Sequence, residues 1–298
     1  MIIIEPGLYD LSESVYHSDP LPEPSLSHSI AKVLLNKSPM HAKYAHPRLN
    51  PEHKSTPSND AMVAGTILHS LILGKGANIT PIDADAFRGK SAKEAREDAF
   101  MHGKIPALRH KLDALRMCAA AAKDQILSHP DLKGFFSDGK SETVMAWQEP
   151  GIWCRAMIDR LPLDPRYPVF DLKTTSTTAA PEEWQKRLIS EYATQAAFYL
   201  RGLESIKQPR REFFFVVVEC NEPFGLSVFT PDGSLMEYAT QEIERAISVW
   251  RKCIETGKWP GYSQNVAYVS VPAWLSMRQE ERALREEIAA NHNVKEFA

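Results

Sequence analysis

Trp153-Cys154-Arg155-Ala156-Met157-Ile158-Asp159 and Val169-Phe170-Asp171-Leu172-Lys173 are short apolar runs that each carry an acid at or near the C-terminal end. Both read as β-strands. Because side chains alternate along a strand, Trp153, Arg155, Met157 and Asp159 share one face of the first, and Asp171 lies beside Lys173 on the second. Two carboxylates on rigid strands suit a hard divalent cation such as Mg²⁺ or Mn²⁺, which binds through oxygen. An ammonium beside them can orient or deprotonate a water, or neutralise charge building in a transition state. The acid-x-Lys tripeptide is weak evidence alone, since about two matches are expected by chance at this composition and four occur. Glu52-His53-Lys54 lies in a Pro-rich loop, Asp131-Leu132-Lys133 follows the helix-ending Pro130, and Asp138-Gly139-Lys140 sits in a turn. Only Asp171-Leu172-Lys173 ends an apolar strand with another strand-borne Asp 12 residues earlier.

Outward from that pair, Glu142 to Gln148, Trp153 to Leu161 and Pro168 to Thr174 predict a three-stranded meander. A helix follows from Pro181 to about Arg201, with Pro in its first turn and Gly202 at its end. Its Trp184, Leu188, Tyr192, Gln195 and Tyr199 fall on one face, so an inward Gln-x-x-x-Tyr pair needs a polar partner. Strands Glu212 to Cys220 and Leu226 to Thr230 and a helix Leu235 to Glu255 complete the order β-β-β-α-β-β-α, an α/β arrangement with a mixed central sheet flanked by helices. The first half reads mostly helical. Ser25-Leu26-Ser27 precedes a short helix through Ile30, Val33 and Leu34 that stops at Ser38-Pro39, and Asn59 to Leu73 places Met62, Thr66, His69 and Leu73 on one face before Gly74. Residues 83 to 106 are highly charged and give no clear pattern, Ala107 to Leu127 is helical, and a charged helix is expected around Arg278 to Ile288.

The 298 residues, 43% hydrophobic and 24% charged, describe a globular chain rather than a fibrous or disordered one. Phe213 to Val218 is six residues, far short of the about 18 that span a membrane. Met1-Ile2-Ile3-Ile4-Glu5-Pro6 lacks a basic segment and a long apolar core, so a cytoplasmic product is expected. Cys118, Cys154, Cys220 and Cys253 form no CxxC pair. The net charge of -3 gives no overall basic field, so DNA binding requires a local groove. Lys32, Lys37, His41, Lys43, His46 and Arg48 gather near the N-terminus as such a patch or as one solvated helix face. No phosphate-binding Gly-x-x-x-x-Gly-Lys-Ser/Thr loop is present.

In chain order, Gly65-x-x-x-His69, Asp159, Asp171-x-Lys173 and Gln195-x-x-x-Tyr199 resemble the PD-(D/E)xK nuclease superfamily, and within it the RecE-like exonucleases of phages and prophages. The resemblance runs from Leu26-Ser27-x-Ser29 to Gly257-Lys-Trp-Pro260. It implies a restriction-endonuclease-like core in a single nuclease domain over 1–298: a mainly helical part at 1–139 contributing His69, a catalytic core at 140–260 and a helical tail at 261–298. By position, Asp159, Asp171 and His69 would bind Mg²⁺ or Mn²⁺ and Lys173 would be the catalytic lysine. Gln195 and Tyr199 would brace the site or the DNA end, with Glu142 an additional strand acid. Asp171 stands where Glu is commoner. Met157 replaces a frequent basic residue, leaving Arg155 as a substitute DNA contact beside Lys32, Lys37 and Lys43. The implied activity is ATP-independent, 5′-to-3′ digestion of double-stranded DNA ends, leaving single-stranded overhangs for recombination. A homo-oligomeric ring such as a tetramer, a RecT-like single-strand annealing partner and a bacterial cytoplasm go with it. Two alternatives remain: a Cas4-like or AddB-like nuclease, which would need clustered cysteines for an iron–sulfur cluster, and a DNA-end-binding module that keeps the fold without turnover.

Overall fold

Strand β1 (Gly7–Tyr9), helix α1 (Glu13–His17), strand β2 (Leu26–Ser27) and helices α2 (His28–Asn36) and α3 (Pro39–Ala45) begin the chain. Ser27 ends β2 and caps α2, its hydroxyl accepting the Ile30 N–H at 3.4 Å. The structure, a computed structural model, describes residues 2–53, 60–76 and 78–295. Met1, Lys54 and Asn59, named in the sequence reading, lie outside the described residues. The chain divides into units of residues 1–261 and 262–298.

The first unit continues through α4 (Asp60–Leu73), β3 (Ile79–Ile82), α5 (Lys90–Met101), β4 (Ile105–Leu108) and α6 (Arg109–Ser128). Then come β5 (Gly139–Glu149), β6 (Ile152–Pro162), β7 (Val169–Thr175), α7 (Pro181–Arg187), α8 (Ala193–Ser205), β8 (Phe213–Glu219), β9 (Leu226–Phe229) and α9 (Gly233–Thr256). The expected β-β-β-α-β-β-α order is present, in a mixed sheet flanked by helices. Asp232 caps α9 by accepting from Leu235 N–H, and Gly257 terminates it at φ 68°, where a side chain would be strained. In the second unit, α10 (Ala273–Lys295) extends beyond Arg278 to Ile288 at both ends, with Arg282 and Glu286 paired at 3.0 Å one turn apart.

The main sheet runs β1-β5-β6-β7-β8-β9, with β7 and β8 parallel and the other neighbours on that path antiparallel. Its decisive feature is a fork. On one edge β6 pairs with β5 along most of its length, while on the other it pairs with β2 at Cys154 and Arg155 and with β7 only at Arg160. Between those contacts β6 and β7 separate, and Asp159 lies in the gap. Two apolar layers hold the fork: Val169, Phe213 and Phe215 pack with α2, α8 and α9, while Phe170, Leu172, Val216 and Val218 pack with α4 and α6. The strict in-out alternation of β7 and β8 is what fixes which face each site residue enters.

Several expectations are corrected. The first half is mainly helical, as its sequence reads, but four short strands went unread: β1 and β2 join the main sheet, and β3 and β4 form a separate parallel pair within the stretch that gave no pattern. These strands have two to four residues, too short to show a period. The helix expected over Pro181 to Arg201 is interrupted by a wide turn at Leu188–Tyr192, where the Ala193 N–H reaches back to the Leu188 carbonyl. It then continues to Ser205, so Gly202 is interior. A Cβ at Gly202 would stand 2.5 Å from Met145 Cε and 2.9 Å from the Trp147 ring, so this glycine lets α8 lie close on β5.

Arg155 is also corrected as a substitute DNA contact. Its guanidinium is buried, 3.0 Å from Asp19 Oδ1, and donates to the Ser25 carbonyl, the Ser25 hydroxyl and the Tyr16 carbonyl. A charge with all these partners inside the fold is not presented to a phosphate. His46, one of the N-terminal basic group, is buried in the same network; Lys37 and Lys43 are exposed, and Lys32 pairs with Glu191 at 3.2 Å.

His46 makes stability pH-dependent. Its Nε2–H donates to the Ser25 carbonyl at 3.1 Å, and its Nδ1 accepts the Arg48 N–H at 3.2 Å, an arrangement that needs the neutral ring. Burial, opposed by Asp19, holds its pKa down at about 4. The unfolded chain therefore binds more protons than the folded one below about 6.5. The contribution of His46 to stability is complete above that pH and is lost as pH falls toward 4, by on the order of 3 kcal/mol. Urea titrations between pH 4 and 7 should show that slope, and His46→Gln should flatten it. An equal slope in the variant would remove His46 as its cause.

Candidate active site

The fork brings the sequence-predicted residues together. From one face, His69 of α4 reaches between two acids: with both ring nitrogens protonated, Nδ1 donates to Glu142 Oε1 at 3.1 Å and Nε2 donates to Asp159 Oδ2 at 2.9 Å. The Leu172 backbone N–H also donates to Asp159 Oδ2, at 2.7 Å, which ties β6 to β7 across the gap. From the other face, Gln195 of α8 supplies both ends of its amide. Its Nε2 donates to Asp171 Oδ1 at 2.5 Å, and its Oε1 accepts from Lys173 Nζ at 3.1 Å. This is the polar partner that an inward Gln required, and it is the acid-x-Lys pair itself. Tyr199, one turn on, is buried, lines the same cleft and packs edge-on against Phe213 at 5.9 Å.

Backbone choices at the site are specific. Glu142 sits in β5 at φ 45°, a region that a non-glycine residue enters at a cost of about 1 kcal/mol, and the β5/β6 ladder skips it between Ser141 and Thr143. The break lets its carboxylate meet His69. Gly65 lets α4 lie close on β7: a Cβ there would lie 3.1 Å from Thr174 Oγ1. The cleft holds about 620 Å³ and is rimmed by Met62, Gly65 and Thr66 of α4, with Met157 in its wall.

The charges are strongly coupled. Burial opposes the protonated form of His69, but Asp159 and Glu142 outweigh it and raise its pKa to about 10. Asp171 is pushed up to about 6, chiefly by burial, with Lys173 opposing and Asp159 adding to the rise. Burial also works against the Lys173 ammonium, and the neighbouring Asp171 and Asp159 raise its pKa nonetheless. Asp159 is lowered because His69, Lys173 and the Leu172 N–H together exceed its burial. The acids thus face two cations of the protein's own.

Among the described residues no three of His, Cys, Asp and Glu stand as a ready-made metal cluster. The donor set nevertheless fits a divalent cation. Asp171 Oδ2 is buried and its one close partner is the Lys173 ammonium, an ion pair at 2.6 Å. An inward carboxylate oxygen so placed, opposite Asp159 across the gap, is a place for a hard cation. Asp159 and Asp171 would hold it, with Glu142 completing the protein ligands; His69, protonated on both ring nitrogens here, would join them only on giving up one of those protons.

Residues 27–272 match the family described as a PDDEXK-like domain of unknown function (DUF3799). The chain belongs to this family. Its fold is therefore that of the PD-(D/E)xK nucleases, whose members typically depend on divalent metal. A crystal structure from Eubacterium rectale, of a protein described as a candidate exonuclease, shares the fold at TM-score 0.55 and 13% identity, covering 90% of this chain and 98% of that one. No curated protein sequence matches the chain. No described helix of this PDDEXK-like protein is long and apolar enough to cross a membrane.

Two residues of the site neighbourhood escaped the sequence reading as functional. Glu13 of α1 lines the cleft, and its pKa is lowered chiefly by a hydrogen bond from His17. Tyr192 lies behind Lys173, with the ammonium 4.9 Å from its ring centre. Glu13 carries no sequence signal beyond a helix-start acid. Tyr192 was legible only as a packing position.

Proposed function

We propose that this PDDEXK-like protein is a metal-dependent, ATP-independent exonuclease that digests double-stranded DNA from an end, in the 5′-to-3′ direction, to leave single-stranded overhangs for recombination. The observation that carries this reading is the Asp159, Asp171 and Lys173 group at the fork, opening into a cleft. Support for end-directed DNA digestion comes from the RecE-like motif order and from the description of the Eubacterium rectale protein.

In this reading the chain's residues divide the work. Asp159 and Asp171 hold Mg²⁺ or Mn²⁺, which when bound supplies Lewis-acid polarisation of the phosphate and lowers the pKa of a water. Lys173, held by Asp171 and Gln195, presents an ammonium to the cleft where negative charge accumulates on the phosphoryl group. Gln195 keeps the acid and the lysine in register, and Tyr199 closes the wall behind them. His69 orients Asp159 and Glu142 by bridging them. Lys37 and Lys43 are exposed and would meet phosphate, and a ring of identical subunits would multiply such contacts around a duplex.

Linear and covalently closed forms of one plasmid test the end requirement. The linear form should be degraded and the closed form spared, with label at the 5′ ends released first. Nicking of closed circles as fast as linear digestion would show an endonuclease and remove the end-directed reading.

A further inference from the structure

Tyr192 closes the wide turn at Leu188–Tyr192, and its backbone, at φ -117° and ψ -22°, carries the departure from regular helix. Such turns accommodate one extra residue in a helix and recur at functional sites. Here the consequence is local. The Tyr192 ring is stacked on Trp184 at 5.7 Å with 14° between planes, and it meets Phe215 at 6.0 Å. Its outer face looks to Lys173, whose Nζ is 4.9 Å from the ring centre, and the same Nζ is 5.9 Å from the Phe215 ring. Lys32 Nζ lies 5.9 Å from the Tyr192 ring as well and is tied to Glu191 on the same turn. Tyr192 does not line the cleft, whereas Lys173 does.

We infer that Tyr192 is a positioning residue for Lys173: the wide turn sets its ring as an electron-rich backstop that fixes the ammonium between Asp171, Gln195 and the cleft. A lysine head on a four-carbon stem is free to swing. Asp171 and Gln195 restrain it from one side, at 2.6 and 3.1 Å. The ring face restrains it from behind by cation–π attraction, without adding another hydrogen-bonding group that would draw the ammonium out of the cleft. Because misplacing a reacting group by about 1 Å can cost 10²-fold, this restraint acts on turnover rather than on substrate binding.

This inference rests on the nuclease reading, and the experiment separates the two. Full-length protein is assayed on linear duplex with Mg²⁺ as wild type, Lys173→Ala, Tyr192→Phe, Tyr192→Leu and Phe229→Leu, with melting temperatures alongside. Phe229 stacks on Trp184 at 6.4 Å and serves as a packing control. Tyr192→Phe should keep kcat within about twofold, and Tyr192→Leu should lower it about tenfold with KM unchanged. Phe229→Leu should keep kcat within about twofold. Fluorinated phenylalanines placed at 192 retain the ring's shape while draining its face of charge, so kcat should fall stepwise with each fluorine. That series decides the matter even if Tyr192→Leu fails to fold. A flat series, or wild-type kcat in Tyr192→Leu, overturns the positioning role while leaving the nuclease reading intact. Full activity in Lys173→Ala overturns both.

Discussion

Asp171→Asn and Lys173→Ala should each lower DNA cleavage by about 10²- to 10⁴-fold while leaving a folded protein that still binds DNA ends. The asymmetry follows from where these groups sit. Burial raises the Asp171 pKa to about 6, which lowers the cost of placing a neutral amide of the same shape there, and the Lys173 ammonium opens to the cleft rather than to the core. What is lost is the anionic ligand in one variant and the positive charge facing the phosphate in the other. Lys133→Ala and Lys140→Ala, the exposed lysines of two other acid-x-Lys matches, should leave the rate within a few-fold. Steady-state rates, melting temperature and end-binding affinity measured on the same preparations check the prediction. Near wild-type cleavage by either site variant would remove the assignment.

The second large effect is on stability. Asp19, at φ 60° and fully buried, holds the Arg155 guanidinium at 3.0 Å and accepts from the Ser25 N–H and hydroxyl at 3.0 and 2.6 Å. Asp19→Ala leaves the Arg155 cation buried without its counter-ion, and the expected loss is about 3 to 5 kcal/mol. Adding Arg155→Met should recover part of that loss, because the unpaired charge is then removed. Urea unfolding of the two variants measures both numbers. A loss below about 1 kcal/mol for Asp19→Ala would mean that solvent reaches Arg155 and that its buried role is misassigned.

These two predictions mark what the sequence made legible. The site acids and Lys173 could be read because they stand at the ends of apolar strands, where alternation and a short spacing leave few ways to arrange them. Gln195 could be read because a helix face admits an inward amide only beside a polar partner. Arg155 could not be read correctly. Alternation places it on the same face as Asp159, but it does not reveal that the segment bearing Tyr16, Asp19 and Ser25 folds over its part of that face. The fork was hidden for a related reason: the two-residue strand Leu26–Ser27 has no period, yet it takes the β6 edge that β7 leaves. The wide turn before Gln195 leaves no mark in composition. It shows only in the backbone, where Tyr192, whose ring faces Lys173, closes it just ahead of α8.

The central claim is that the fork is a metal-dependent phosphodiester-hydrolysing site, and one measurement addresses it most directly. Purified full-length protein is incubated with end-labelled linear duplex in Mg²⁺, in Mn²⁺ and in EDTA, and the nucleotides released are followed with time. The expected result is digestion with either metal and none in the chelator, since Asp159 and Asp171 need a cation between them to act on a phosphate. Undiminished digestion in EDTA, or no digestion with either metal by protein shown to be folded, would contradict it.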